Sequence, residues 1–138
     1  VDINGIRCVN FCPPVIPAAD KEGLERFWSN ATQWPGGVLP VDGANVVIPA
    51  TWNLILDVDT PLLNSTIVDG NLIFDRSKDL TLTSNYIWAR KGTITIGSRD
   101  MPYTKTANIV LTGQQSDAPL KIDTTASGNK MLVVTGGI

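Results

Sequence analysis

Gly70-Asn-Leu-Ile-Phe74 and Gly92-Thr-Ile-Thr-Ile96 share one form, a glycine followed by apolar residues two and four positions later. Gly92 lies 22 residues after Gly70, Gly113 lies 21 after Gly92, and Gly136, opening Gly136-Gly-Ile138, lies 23 after Gly113. A period of that size is about one coil of a parallel β-helix, in which each coil stacks its inward apolar residues on the coil before. Outward from these two stretches the same alternation recurs in short runs bounded by Gly, Pro, Asn, Asp and Ser. Val46 and Ile48, Leu54 and Leu56, Leu80 and Leu82, Ile109 and Leu111, Leu120 and Ile122, and Leu132 and Val134 each place two apolar side chains on one face of a strand. An antiparallel sandwich would alternate in the same way. The glycine period, and the scarcity of two-residue hairpin turns apart from Asp42-Gly43 and Asp69-Gly70, favour the coil. The fold expected is all-β, a right-handed parallel β-helix (solenoid) segment.

Ala18 to Trp28 departs from this pattern. Both glutamates of the chain, Glu22 and Glu25, fall here, behind Asp20 as an N-cap. Leu24, Phe27 and Trp28 recur at helical spacing, with Lys21/Glu25 and Glu22/Arg26 free to pair opposite them. Gly23 weakens the helix. A solenoid exposes an open end that needs a cap, so this short helix, with Leu24, Phe27, Trp28 and Trp34, is expected to close it. The organisation expected is an N-terminal loop and capping helix over 1–27 and a solenoid module over 28–138. The start at Val1 and the stop just after Met131-Leu-Val-Val-Thr135 read as a fragment of a longer protein.

Composition narrows the chemistry. The chain has 138 residues, 11 basic and 13 acidic side chains and no histidine, with 43% hydrophobic and 17% charged residues. A net charge of −2 argues against nucleic acid as the main partner, since phosphate neutralisation needs a basic surface. Without histidine, imidazole-activated nucleophiles and two-histidine metal motifs cannot be built from this chain alone. No apolar run approaches the roughly 20 residues of a membrane span, so no direct membrane insertion of this stretch is expected. The total charge hides an asymmetry: residues 1–75 carry nine acids and three bases, residues 76–138 four acids and eight bases. Arg76, Lys78, Arg90, Lys91, Arg99 and Lys105 cluster there, and Arg76 and Arg99 are one coil apart. A solvated, mixed-charge face is the plainer reading of that cluster.

Asn30-Ala-Thr32 and Asn64-Ser-Thr66 are N-glycosylation sequons. Cys8 and Cys12, the only cysteines, are candidates to pair with each other or with partners elsewhere. Low charge, abundant threonine, sequons and the cysteine pair together point to a secreted or cell-surface protein. Asp57 and Asp59 project from one face of an extended strand, as an acid and base acting on a glycoside would, but strand-ending aspartates that bond nearby backbone are far commoner. A calcium site from Asp57, Asp59 and Asp79 has the right hard oxygens without a recognisable loop spacing. No cofactor or metal is therefore expected. With Ile87 and Ala89 inward, Tyr86, Trp88 and Arg90 point outward beside Lys91, an aromatic and cationic row suited to a sugar. Trp88 covered by a neighbouring segment is the commoner arrangement for so large a ring.

From Trp28 to Gly113 the order of residues resembles a G8 domain. The resemblance is carried by Trp28, Trp34-Pro-Gly-Gly-Val-Leu-Pro40, Asp42-Gly-Ala-Asn-Val-Val-Ile-Pro49, Leu56-Asp57, Val68-Asp-Gly-Asn-Leu-Ile-Phe74 and Leu80-Thr-Leu82. It continues through Ile87, Gly92-Thr-Ile-Thr-Ile-Gly97, Pro102 and Ile109-Val-Leu-Thr-Gly113. It implies an extracellular module leading into a longer parallel β-helix, in fibrocystin-like proteins tied to cilia, cell surfaces or hyaluronan. Trp52 departs from the family's pattern by placing a large aromatic on a loop, and joins the candidate sugar-binding residues. The function expected is a non-catalytic structural or recognition module whose partners are other segments of the same polypeptide or surface proteins. The alternative is a polysaccharide-binding, specifically hyaluronan-binding or hyaluronan-depolymerising, component that uses Tyr86, Trp88, Arg90 and Lys91.

Overall fold

A computed structural model describes residues 25–122, 125–126 and 128–135. Among them are eleven strands: β1 (Glu25–Phe27), β2 (Asn45–Ile48), β3 (Asn53–Leu56), β4 (Leu63–Val68), β5 (Asn71–Phe74), β6 (Leu80–Ala89), β7 (Thr93–Thr95), β8 (Ala107–Leu111), β9 (Lys121–Ile122), β10 (Thr125–Ala126) and β11 (Leu132–Val134). Two short 3₁₀ turns, Ala31–Gln33 and Pro35–Gly37, lie between β1 and β2.

From β1 to β7 the chain alternates between two sheets. One has the order β1-β3-β5-β7; the other runs β2-β4-β6-β11, with β8 also on β6. Every described pairing is parallel except the β9–β10 hairpin, which excludes the antiparallel sandwich. The sharp links confirm that geometry: Asp69-Gly70 joins β4 to β5 across the two sheets rather than turning a hairpin.

Register stacks like on like. Leu54 lies on Leu72 and Leu72 on Ile94, while Leu56 lies on Phe74. In the second sheet Ile48, Val68, Ala89 and Val134 form one column. Leu54, Leu56, Leu63, Leu72, Leu82 and Ile87 are fully buried, each contributing about 1.5–3 kcal/mol of transfer free energy. The core is this pair of facing stripes, and it also holds Trp28 and Trp34.

The expected capping helix is not what the described residues form. Glu25–Phe27 is a strand paired in parallel with Asn53–Ile55, and the Trp28 amide continues the ladder by donating to the Ile55 carbonyl at 2.9 Å. Phe27 stands 42% exposed and Trp28 only 2%, so the pattern has period two, with no helical face holding both. The edge of β3 pairs the alternate backbone groups of this stretch that face it, and that ladder outweighs a weak helical propensity. Leu24, the rest of the expected helix, and Cys8 and Cys12 lie outside the described residues.

Candidate functional site

The inward pattern of the second sheet slips by one residue within β6. In β6 the buried residues are Leu80, Leu82 and Ser84, then Ile87 and Ala89, so Asn85 and Tyr86 together occupy the step between two inward runs. Side chains at this corner bond from tier to tier. Asn64 Nδ2 donates to Asn45 Oδ1 at 2.6 Å, Asn85 Nδ2 to Asn64 Oδ1 at 3.2 Å, and Thr112 Oγ1 to Asn85 Oδ1 at 2.9 Å. Each primary amide here has a donor and an acceptor to offer, so a column of them satisfies itself. A buried counterpart runs through the first sheet, where Asn71 Nδ2 donates to Asn53 Oδ1 and Thr93 Oγ1 to Asn71 Oδ1, both at 2.7 Å.

Beyond this corner the chain leaves the sheet. Leu80–Ser84 of β6 pairs with β8, and Ile87–Ala89 of the same strand pairs with β11. The Thr112 amide donates to the Ser84 carbonyl, and the Ile87 amide donates to the Met131 carbonyl, so β8 and β11 meet β6 on either side of Asn85 and Tyr86, and residues such as Gln114, Asp117 and Asn129 form an excursion there. The excursion is tied at its base: Asn129 Nδ2 donates to the carbonyls of Gln114 and, at 3.2 Å, Asp117, while the Gln114 amide donates to Asp117 Oδ2 at 2.7 Å. Between excursion and corner lies a groove of about 390 Å³, lined chiefly by Asn64, Asn85, Tyr86, Asp117, Lys121 and Asn129. A second groove of about 410 Å³ follows the outward row Phe27, Ile55, Ile73 and Thr95 of the first sheet, with Met101 at its side.

The sequence-derived sugar row is divided among three places. Tyr86 lines the polar groove. Trp88 donates from Nε1 to Thr135 Oγ1 at 2.8 Å and carries the Arg90 guanidinium 5.5 Å from its ring centroid. Arg90 forks onto Asp69, Nε to Oδ1 at 2.8 Å and Nη2 to Oδ2 at 2.5 Å, and the hydrogen bonds to that carboxylate raise its pKa. Lys91 sits half-buried in the turn between β6 and β7. Trp52 is at a different point altogether, edge-on to Trp34 at 5.7 Å with Arg26 stacked 4.3 Å from its centroid.

Trp34 is itself edge-on to Trp28 at 5.0 Å and donates from Nε1 to the Trp28 carbonyl at 3.0 Å. This cluster occupies the region assigned by sequence to the cap.

The aspartates that the sequence offers for catalysis or calcium are each engaged separately. Asp57 accepts the Ser29 amide and hydroxyl, Asp59 the Thr81 amide, and Asp79 the Thr106 amide. Among the described residues no group of three or more His, Cys, Asp or Glu side chains is gathered to hold a metal. Of the basic cluster, Lys78 Nζ donates to the Asp57 carbonyl, Arg90 is paired with Asp69, and Arg76, Arg99 and Lys105 are exposed. Asn30 is exposed and caps the first 3₁₀ turn, its Oδ1 accepting from the Thr32 amide and hydroxyl. Sequence reasoning missed Asn85, Asp117, Lys121 and Asn129; the asparagines at 45, 64 and 85, spaced by close to one tier, were the signal available for the first of these.

Among known proteins, the chain is 31% identical to fibrocystin-L of Homo sapiens over 112 residues, covering 80% of this chain and 2% of that protein. It is 29% identical to fibrocystin-L of Mus musculus over 127 residues, covering 76% and 3%, and 34% identical to fibrocystin of Canis lupus familiaris over 94 residues, covering 67% and 2%. It therefore spans only a few hundredths of the length of these relatives. No solved structure matches it. The G8 domain family matches residues 33–138, most of the two-sheet body described above, and the chain belongs to that family.

Proposed function

We propose that the chain is a non-catalytic structural module of a larger fibrocystin-like protein at the cell surface or in the extracellular space, including the surface of cilia. In this reading successive coils of a right-handed β-helix, over 28–138, each give one strand to each of the two parallel sheets, and the tryptophan cluster closes the first coil. The observation that carries the reading is that both sheets grow tier on tier in parallel and finish in strands with a single described partner, β1 and β2 at one end and β7, β8 and β11 at the other. At one end Trp28 and Trp34 are buried against the core. At the other, β7, β8 and β11 are each described with a pairing partner on one edge only, and Leu132 and Val110 stand exposed. An open parallel edge with apolar residues beside it is a place for another strand to add, and further coils of the same polypeptide are the partner of the right chemistry.

The lack of histidine and the separate engagement of Asp57, Asp59 and Asp79 support a scaffold over an enzyme. The sequons at Asn30 and Asn64 and the Cys8/Cys12 pair support the secretory compartment. The hyaluronan reading gains no support from Arg90, whose fork is already filled by Asp69.

Hydrogen exchange tests the proposal. The outward amides of β7, β8 and β11 should exchange rapidly in the isolated chain and slowly in the full-length protein. Equal, rapid exchange in both would remove the stacking role.

A further inference from the structure

The geometry points to the groove between Asp117–Lys121 with Asn129 and the sheet corner as the seat of the chain's own Asn64-linked glycan, with the first N-acetylglucosamine lying against Tyr86. This rests on the secretory reading above and adds to it a defined binding site.

Asn64 is at once a sequon asparagine and a wall of the groove. Its Nδ2 carries two hydrogens, and the ladder uses one of them, to Asn45 Oδ1. Glycosylation replaces a single hydrogen. The Nδ2–C1 bond forms as the C1–O bond of a lipid-diphosphate-linked oligosaccharide breaks; the diphosphate leaves with the electron pair, and the displaced amide proton passes to a base. One N–H remains, so the modified residue still has a donor for the ladder.

Timing follows from burial. Thr66, the hydroxyl residue of the sequon, is fully buried and donates to Ser84 Oγ at 3.1 Å. The sequon is therefore legible only in the extended chain, and the sheets close afterwards with the sugar in place.

The lining suits an uncharged amide sugar. Tyr86 offers a half-buried ring for the apolar face of a pyranose. Asn85 spends one Nδ2 hydrogen on the ladder and keeps the other for a hydroxyl or the acetamido group, Asn129 commits its Nδ2 to the carbonyls of Gln114 and Asp117 and keeps its Oδ1 as an acceptor, and Asp117 and Lys121 bring opposite charges. A carboxylated polysaccharide would meet Asp117 with no cationic excess to offset it. The volume, about 390 Å³, lies at the lower end of the roughly 300–1,000 Å³ common for small-molecule sites, enough for one or two sugar rings. Asn30 provides the contrast: it is exposed and lines neither groove.

The test uses the chain secreted from a glycosylating host, with intact mass and glycopeptide analysis at both sequons. On the native protein, peptide N-glycosidase should release the Asn64 glycan about tenfold more slowly than the Asn30 glycan, a factor that one good aromatic contact sustains. Denaturation should equalise the two rates. In Tyr86→Ala the Asn64 rate should rise to that of Asn30, with the far-ultraviolet circular dichroism unchanged. As a second readout, the ring protons of the Asn64-linked N-acetylglucosamine should be shifted upfield by Tyr86 in the wild type only. A chain with no glycan at Asn64 would overturn the modification itself. A glycan present at Asn64 but released as fast as that at Asn30, without ring-current shifts, would overturn the seat alone.

Discussion

Gly92 is seated directly on Gly70: a Cβ built at Gly92 would overlap the Gly70 carbonyl oxygen, and the Thr93 amide donates to that same oxygen at 2.9 Å. Gly70 in turn lies against the carbonyls of Pro49 and Trp52. The glycines are the points where successive tiers approach backbone to backbone, which no side-chain rotation can relieve. Gly92→Ala is expected to cost about 2–4 kcal/mol, whereas Gly128→Ala, with nothing within 4 Å of its Cβ position, should stay within about 0.5 kcal/mol of wild type. Urea denaturation of both variants measures this; equal stability would contradict the close approach.

The Arg90–Asp69 pair joins consecutive tiers, and its side chains are 37% and 12% exposed. Solvent screening limits its worth, so Arg90→Lys, which keeps charge but loses the fork, should cost about 0.5–1 kcal/mol. A double-mutant cycle with Asp69→Asn should return a coupling that shrinks as salt rises. Trp88 fluorescence should change in Arg90→Ala, since the guanidinium leaves its ring.

Trp34 supplies both ring contacts and a buried hydrogen bond to the Trp28 carbonyl. Trp34→Phe keeps most of the apolar volume and abandons that carbonyl, at about 1–3 kcal/mol. Trp34→Ala should cost about 3–5 kcal/mol. Calorimetric melting of the two variants separates the hydrogen bond from the packing.

Tyr103 donates its hydroxyl to the Lys78 carbonyl at 2.7 Å. Burial first, then the charges of Asp79 and Asp75, raise its pKa above the ordinary 10.0. Between the ordinary and the raised value the folded state keeps a proton that the unfolded state has lost, so stability must fall as pH rises through that window. Denaturation midpoints above about pH 10 should decline in the wild type and decline less in Tyr103→Phe, while absorbance at 295 nm follows the ionisation.

The all-β class and most inward residues were legible because Leu54/Leu56, Leu72/Phe74 and Leu80/Leu82 alternate without interruption. β4 escapes the alternation, because its inward positions between Leu63 and Val68 are Ser65 and Thr66, polar groups that a hydropathy pattern passes over. The glycine period was half physical. Gly70 and Gly92 share a column, but Gly113 lies at the other corner, against the carbonyls of Asn129 and Asn85, so its spacing belongs to a different contact. The polar groove was invisible for a similar reason: it needs Asn129 brought back beside Asn85, and only the pairing of β11 with β6 does that.

That pairing has a consequence for how such a chain can change length. β6 holds one partner strand on Leu80–Ser84 and another on Ile87–Ala89, two separate sets of its residues. The junction at Asn85 and Tyr86 is a splice point: beyond the close contact of Gly113 with Asn129, the chain can lengthen or shorten while the two hydrogen-bond ladders keep their own residues of β6.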